Sequence, residues 1–227
     1  MRFNVEDFPL RVQVAWRISE AGPTGYFQFP NSRVAMENIT SVWCRRPVTP
    51  VPSPEIVDPA AREFSVAESQ AALDGAMRSL DCYWISCPEN IRRAELKVFQ
   101  LKAAAEVGLA LSPTLVTNNP IEARAFVKEA DGQVVVKPLR RGQVTRGKTV
   151  SLIFTNPLTS RELVYLDSIS LTPTLLQRYV PKRFEIRVTV IGHRAFSVAI
   201  FSQERPDSQH DWRRGDRSNL RYVRCSP

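Results

Sequence analysis

The chain has 227 residues, 43% of them hydrophobic, which is enough to bury a core in one or two domains. Its apolar runs are far shorter than the roughly 20 residues that span a bilayer. Residues 1–6 carry charge and no apolar segment, so neither a membrane span nor a signal peptide is predicted. The four cysteines form no CxxC pair and there are only two histidines, which disfavours a zinc site and favours reduced thiols in the cytoplasm.

The charge is unbalanced, with 31 basic and 23 acidic residues and a net charge of +8. Such an excess attracts a nucleic acid, a nucleotide phosphate or an acidic peptide, unless it only reflects a diffusely charged surface. The basic side chains are scattered and no aromatic stripe alternates with them. This disfavours nucleic acid as the partner.

Alternating polarity predicts strands in the N-terminal region. Residues 11–16 predict a half-buried strand, which a turn at 22–25 connects to a partner at 25–29. A third strand is predicted at 39–43. Residues 47–54 contain four prolines and are not expected to join a sheet.

Two helices and a short strand are predicted next. The first helix begins with Asp58 as N-cap and Pro59 in its first turn. Its expected buried stripe is Ala60, Phe64, Ala67 and Ala71. Residues Tyr83–Ile85 predict a short buried strand, and the capping-box spacing of Ser86–Glu89 predicts the start of a helix that continues over 91–107. The apolar face of that helix is expected to be Ile91, Ala94, Val98, Leu101 and Ala105.

The following segment alternates strands with a helix. A strand at 114–117 leads to Asn119, Pro120 and Glu122, which have the N-cap, N1 and N3 spacing of a helix that ends near 131–132. Three valines then predict a buried strand at 134–136, directly before Lys137.

The last third of the chain predicts only strands. They are expected at 149–155, 175–179, 184–191 and 195–203. Gly192–His193 is the predicted type II′ turn of a hairpin between the last two. Because this hairpin is antiparallel, a parallel Rossmann sheet is disfavoured and the predicted fold class is α+β in two lobes.

Lys137 is a candidate phosphate ligand. It ends a buried strand, where a charge is unfavourable unless an anion meets it. A basic loop with two glycines follows at once, and its backbone N–H groups could approach phosphate oxygens. The loop residues are Arg140, Arg141, Gly142, Arg146, Gly147 and Lys148. The alternative is an ordinary strand end followed by a solvated turn.

Residues 184–190 alternate strictly between apolar and polar side chains. The apolar face, Phe184, Ile186, Val188 and Val190, is expected to pack on a core. Glu185 and Arg187 then share the other face, where they could hold a ribose hydroxyl and a phosphate or could simply be exposed.

Seven stretches, in order along nearly the whole chain, resemble the ATP-grasp ligases that mature ribosomal peptides, of the MvdC/MvdD and TgmB type, also called graspetide synthetases. They are Ser41–Pro47, Ala94–Leu101, Pro113–Pro120, Val135–Leu139, Leu176–Lys182, Glu185–Arg187 and Asp211–Arg213. The resemblance implies an ATP-grasp fold of two α/β lobes (89–227) after a small α/β pre-ATP-grasp domain (1–88).

The resemblance also implies a role for individual residues. Lys97 and Lys137 correspond to the two lysines that reach the ATP phosphates. Gln177, Arg178, Tyr179 and Val180 correspond to the hinge whose backbone binds the adenine edge. Glu185 corresponds to the ribose contact. Arg187 and Arg213 would stabilise charge on the transferring phosphoryl group or the acyl-phosphate, while the pair Arg45 and Arg46 has no definite role.

The implied reaction activates a carboxylate with ATP and Mg²⁺ and joins it to a side-chain hydroxyl or amine, which gives an ester or amide crosslink in a precursor peptide. An acidic precursor suits the charge of +8. Members of the family begin with a further strand and helix and continue into acidic magnesium ligands. We therefore expect a chain truncated at both ends, with no metal ligand of its own and no turnover.

Two other functions remain open at this point: a non-catalytic module that binds nucleotide or peptide, and a RimK-like glutamate ligase. Residues 43–47 and 211–213 favour the peptide maturase over the RimK-like ligase. The expected location is the cytoplasm, and association into a homodimer is left open.

Overall fold

The computed structural model describes residues 1–45, 47–140, 142–147 and 149–226. The chain divides into two compact units, Met1–Arg92 and Arg93–Pro227. The strands of the first unit are β1 (Gln13–Ser19), β2 (Gly22–Phe29), β3 (Ser32–Ala35), β4 (Ser41–Trp43) and β5 (Tyr83–Ile85). Its helices are α1 (Pro59–Arg78) and α2 (Pro88–Ala94), the second of which runs across the division.

The first three strands form an antiparallel sheet in the order β1-β2-β3. The predicted turn between β1 and β2 was wrong, because Ser19 pairs with Gly22 and the turn is at residues 20–21. Gly25 lies within β2, where a Cβ would come within 2.7 Å of Met36 Sδ and of Trp16 Cε3. The glycine therefore allows close packing and does not form a turn.

Helix α1 begins as predicted, since the Asp58 side chain accepts a hydrogen bond from the Ala61 N–H at 2.7 Å. The predicted buried stripe was wrong: all four of its members are exposed, and Phe64 is 68% exposed. Leu73 and Ala76 are buried instead. They join a core with residues of the N-terminal segment and the sheet, namely Phe8, Val12, Phe27, Met36 and Leu80. The stripe failed because small alanines carry little information about which helix face is buried.

Strands β4 and β5 are present as predicted and pair in parallel. The prediction that β5 is buried was wrong, because Tyr83 and Ile85 are exposed and Trp84 is only partly buried. Residues 47–57 contain no strand, as expected from the prolines. The predicted helix over 91–107 is two helices, which separate at residues 95–96. Ala94 and Val98 of its expected apolar face are exposed.

The second unit contains nine strands among its described residues: β6 (Thr114–Thr117), β7 (Val134–Lys137), β8 (Gln143–Arg146), β9 (Thr149–Leu152), β10 (Asn156–Pro157), β11 (Thr174–Arg178), β12 (Glu185–Ile191), β13 (Arg194–Ile200) and β14 (Tyr222–Cys225). Its helices are α3 (Lys97–Glu106), α4 (Pro120–Glu129) and α5 (Ser160–Leu163). Asn119 caps α4 as predicted, with its side chain accepting from the Ile121 N–H.

The central sheet has the order β10-β7-β11-β6, and all its neighbours are antiparallel. Side chains alternate between its two faces. One face packs on α4 and the 3₁₀ segment Leu166–Leu171, through Val134 and Leu176 together with Ala123, Val127 and Ile169. The opposite face carries Thr114, Lys137 and Gln177 beside the buried Val135 and Leu175.

Strands β12, β13 and β14 form a second antiparallel sheet. Gly192 has φ +59° in the two-residue turn between Ile191 and Arg194, as the predicted type II′ turn requires. The prediction that the apolar face of β12 packs on a core was wrong. Ile186, Val188 and Val190 are 55%, 50% and 66% exposed, and among the described residues only Phe184 at the start of the face packs against another ring, that of Phe201. Alternation alone does not show whether a face is covered.

Candidate functional site

Lys137 lies at the end of β7, on the face of the central sheet that is opposite α4. Its Nζ donates a hydrogen bond of 2.6 Å to Oε1 of Gln177 on β11. Nε2 of Gln177 in turn donates to Oγ1 of Thr114 on β6 at 2.7 Å. The three residues connect three neighbouring strands, so the sheet itself fixes the orientation of the Gln177 amide and of the lysine.

The pKa of Lys137 is lowered, first because its ammonium group is desolvated by burial. The positive charges of Lys182 and Lys97 lower it further, and the carboxylates of Asp211 and Glu185 only partly oppose this. The structure therefore brings Lys97, Lys137 and Lys182 into one electrostatic neighbourhood, which we call the lysine cluster. A nearby anion would favour the charged form of these lysines.

Lys97 is the first residue of α3, and its Nζ donates to Oε1 of Gln100 at 3.2 Å. It is partly buried. Nothing in the sequence outside the resemblance points to a role for Lys97, because one lysine at a helix start is a common surface residue. The structure adds that its charge acts on Lys137.

Glu185, at the start of β12, is held by two neighbours. Its Oε1 accepts hydrogen bonds from Nζ of Lys182 at 2.8 Å and from Oγ of Ser202 at 3.0 Å. Lys182 also donates to the backbone carbonyl of His210 at 3.2 Å. Sequence analysis gave Lys182 no role, although the spacing of three residues between Lys182 and Glu185 indicates a possible ion pair.

Arg213 is bound by a buried carboxylate. Asp211 is 4% exposed, and its two oxygens accept from Nε and Nη2 of Arg213 at 2.8 and 2.5 Å. Burial would raise the pKa of Asp211, but the hydrogen bonds from Arg213 and from the Thr155 N–H outweigh burial and lower this pKa to about 2. Glu185 also acts electrostatically on Arg213, so this pair belongs to the same neighbourhood as the lysine cluster.

The other predicted arginine, Arg187, lies on β12 with its guanidinium 6.0 Å from the ring centroid of Trp212. The guanidinium of Arg213 lies 5.9 Å from the ring of Phe154. Trp212 thus lies beside Arg187, while Asp211 holds Arg213.

The predicted hinge continues from the end of β11, and its backbone is largely engaged. The Arg178 N–H donates to Pro113 O and its carbonyl accepts from the Ser112 hydroxyl. The Tyr179 N–H donates to Gln133 O at 2.7 Å. Among the described residues, nothing bonds to the Tyr179 carbonyl or to the Val180 N–H, and these two groups remain for a ligand.

The predicted glycine loop is the hairpin β8–β9, with Gly147 in its turn at φ +58°. At its base the Ile153 N–H donates to the Gly142 carbonyl at 2.6 Å. A Cβ on Gly142 would lie 2.1 Å from the Ile153 carbonyl oxygen. Gly142 is therefore required for this close approach. Arg141 and Lys148 of the loop, like Arg46 of the N-terminal pair, lie outside the described residues.

The chain is similar to known proteins over most of its length. Residues 1–92 match the MvdD pre-ATP grasp domain. A RiPP-associated ATP-grasp ligase of Chryseobacterium gregarium, solved with ADP and a leader and core peptide, is 29% identical with a TM-score of 0.86, over 94% of this chain and 64% of that one. In sequence and fold the chain is similar to the RiPP-associated ATP-grasp ligases.

Two macrocyclases of Microcystis aeruginosa MRC are also similar to this chain. MdnC, solved with the precursor peptide MdnA, is 27% identical with a TM-score of 0.82, over 89% of this chain and 67% of that one. MdnB is 30% identical with a TM-score of 0.73, over 90% and 66%. The chain thus spans 64% to 67% of the length of these three proteins. No curated protein matches the sequence.

The mixed helix and strand architecture is that of an ATP-grasp ligase with a pre-ATP-grasp domain, as predicted. Within the described residues, no group of three or more histidine, cysteine or acidic side chains could hold a metal ion. The same residues include no helix that is long and apolar enough to cross a membrane.

Proposed function

We propose that this chain carries the nucleotide-binding part of a ligase that uses ATP to form ester or amide crosslinks between side chains of a ribosomal precursor peptide. The observation that supports this best is the lysine cluster. Asp211 and Glu185 act on Lys137 of this cluster and also on Arg213, so four cations share a neighbourhood with two carboxylates. The excess of positive charge is suited to a polyphosphate.

In this proposal Lys97 and Lys137 bind the phosphates of ATP. The remaining backbone groups of Tyr179 and Val180 bind the adenine edge, next to Gln177 and Arg178. Glu185 accepts from a ribose hydroxyl, with Lys182 and Ser202 holding its carboxylate in place. Because these groups are oriented by their own hydrogen bonds before ligand arrives, little reorganisation is needed on binding.

The chemistry proposed is carboxylate activation. A carboxylate oxygen of the peptide attacks the γ-phosphorus of ATP, ADP leaves, and an acyl-phosphate forms. A side-chain hydroxyl or amine then attacks the acyl carbon and displaces phosphate, so that the peptide loses one water in total. Arg187 and Arg213 stabilise the negative charge of the transferring group. The acidic cluster that would bind Mg²⁺ is not found among the described residues, so no step is assigned to that ion.

The partner proposed is an acidic precursor peptide. The protein carries a net charge of +8, and an excess of this sign attracts acidic peptides. The relatives from Chryseobacterium gregarium and Microcystis aeruginosa were solved with peptides, which supports a peptide for this chain. The cytoplasm is the compartment that the proposal assigns, since it supplies ATP and newly made peptides.

The first experiment is nucleotide binding by calorimetry with the Lys137→Ala variant. Loss of one desolvated contact between a charge and a phosphate should cost roughly 1.5–3 kcal/mol of ADP binding free energy. Lys128→Ala, at an exposed position of α4, is the matched control and should bind like wild type. Equal affinities for wild type and Lys137→Ala would contradict the assignment.

The second experiment tests the reaction, by phosphate release and by mass spectrometry of a candidate precursor peptide that would lose one water. Nucleotide binding together with peptide dehydration would support the ligase. Nucleotide binding without dehydration, in a chain extended to the length of its relatives, would favour the non-catalytic binding module. Addition of glutamate to a peptide would favour the RimK-like ligase.

A further inference from the structure

Asp211 is a buried carboxylate whose oxygens are both engaged. Oδ1 accepts from the Arg213 backbone N–H at 3.1 Å and from Arg213 Nε at 2.8 Å. Oδ2 accepts from Arg213 Nη2 at 2.5 Å and from the Thr155 backbone N–H at 3.1 Å. Thus one side chain holds both the guanidinium of Arg213 and the backbone that follows the β8–β9 hairpin.

Without Asp211, the side chain of Arg213 would be free to adopt many rotamers. Arg213 has an exposed side chain, 52% accessible, and an arginine loses rotamer entropy when it is fixed in one place. A bidentate pair with a carboxylate fixes the plane and direction of the guanidinium in advance. Since Asp211 is 4% exposed and its oxygens are used by N–H donors, it is poorly placed to contact substrate itself.

We propose that Asp211 is a positioning residue, which orients Arg213 toward the terminal phosphate of the bound nucleotide and fixes the base of the β8–β9 hairpin beside it. This inference rests on the proposed function, because it takes Arg213 as a group that meets the transferring phosphoryl. Asp211 acts through Arg213 and through Thr155, so its loss should change what Arg213 does and should not remove the nucleotide site.

The neighbouring sequence contains a matched control. Arg205 and Asp207 are also two residues apart, but their closest approach is 3.6 Å and both side chains are about half exposed. An Asp207→Asn substitution changes the same charge in the same segment without touching the buried pair. Asp211→Asn keeps the size of the side chain and removes its charge, and Arg213→Ala removes the group on which it acts.

The experiment compares the affinities of ADP and of the non-hydrolysable triphosphate AMPPNP, each in excess magnesium, for wild type and these variants. Asp211→Asn should weaken the binding of AMPPNP by roughly tenfold, as expected for one lost charge-assisted contact. The affinity for ADP should stay within about twofold of wild type. Arg213→Ala should do the same. The double variant should be no weaker than Arg213→Ala, because the two residues act as a unit. Asp207→Asn should behave like wild type.

Amide hydrogen exchange of the nucleotide-free protein gives a readout that does not depend on binding. Exchange at 154–156 should rise in Asp211→Asn and stay unchanged in Arg213→Ala and Asp207→Asn. Equal weakening of ADP and AMPPNP in Asp211→Asn, or additive losses in the double variant, would overturn the positioning role and leave the proposed function intact. Failure of wild type to bind either nucleotide would overturn the proposed function, and unchanged exchange at 154–156 would overturn the contact to Thr155.

Discussion

At the scale of single residues, the positive charge of Lys137 is unfavourable in the free protein. Burial and the neighbouring lysines both lower its pKa. Its hydrogen bond to Gln177 offers a neutral acceptor and no negative charge. A polyphosphate would supply that missing charge, and so the unfavourable state of Lys137 in the free protein becomes a favourable contact on binding.

The pH dependence of nucleotide binding follows from this shift. A bound phosphate favours the protonated lysine, so the pKa of Lys137 in the complex lies above its lowered value in the free protein. Nucleotide binding should be tightest below the pKa that Lys137 has in the free protein, and it should weaken as pH rises through that value. The measurement is the dissociation constant of ADP between pH 7 and 10, where the nucleotide phosphates are already ionised.

The same titration with two variants isolates the lysine. Lys137→Ala should bind more weakly at neutral pH and should lose most of the dependence on pH. Lys128→Ala should keep the wild-type profile. Parallel curves for wild type and Lys137→Ala would show that another group is responsible for the dependence.

At the scale of secondary-structure elements, the hairpin β8–β9 depends on the backbone contact between Gly142 and Ile153. Because a Cβ at residue 142 would meet a backbone oxygen at 2.1 Å, Gly142→Ala must shift one of the two chains. We expect it to destabilise the hairpin base by roughly 1–3 kcal/mol, as overpacked sites do, and to weaken AMPPNP binding. Urea unfolding and calorimetry would measure the two effects.

Gly75 provides the contrasting substitution. It lies inside α1, has no positive φ, and a Cβ there would meet nothing within 4 Å. Gly75→Ala should therefore stabilise the protein by roughly 0.5–1 kcal/mol, because alanine loses less backbone freedom than glycine in a helix. If Gly142→Ala does not lower the stability of the protein, the close approach to Ile153 is not the reason for a glycine at residue 142.

Helix starts and turns that neighbouring residues determine could be predicted from the sequence. Which face of a helix or strand is buried could not. Asp58 and Asn119 cap their helices through bonds two or three residues away, and Gly192 determines a two-residue turn, so neighbouring residues contain the information. The stripe of α1 and the apolar face of β12 were wrong because burial depends on what packs from elsewhere in the chain. The grouping of Lys182 and Asp211 with Lys137 needed the fold, since these residues are 29 to 74 positions apart.

At the scale of the whole molecule, the charge of +8 predicts how an acidic peptide would be captured. The attraction acts over a Debye length of about 10 Å at 0.1 M salt and about 3 Å at 1 M. Association with an acidic precursor should therefore slow markedly between 50 mM and 500 mM salt, as stopped-flow fluorescence would show. A peptide with its acidic residues replaced by the amides should show little change, and equal salt dependence for both peptides would contradict electrostatic steering.

The order of the central sheet also affects when the protein can fold during synthesis. Strand β6 ends at Thr117, but its partner β11 ends only at Arg178. At 5–20 residues per second, roughly 3–12 s of translation separate the two strands. Over that interval the nascent chain exposes an unpaired strand, and the apolar residues of the neighbouring β7 lack the same partner. Translation sets this interval, however fast the domain folds. Until β11 leaves the ribosome, aggregation of the nascent chain must be slow or a chaperone must cover the exposed strand.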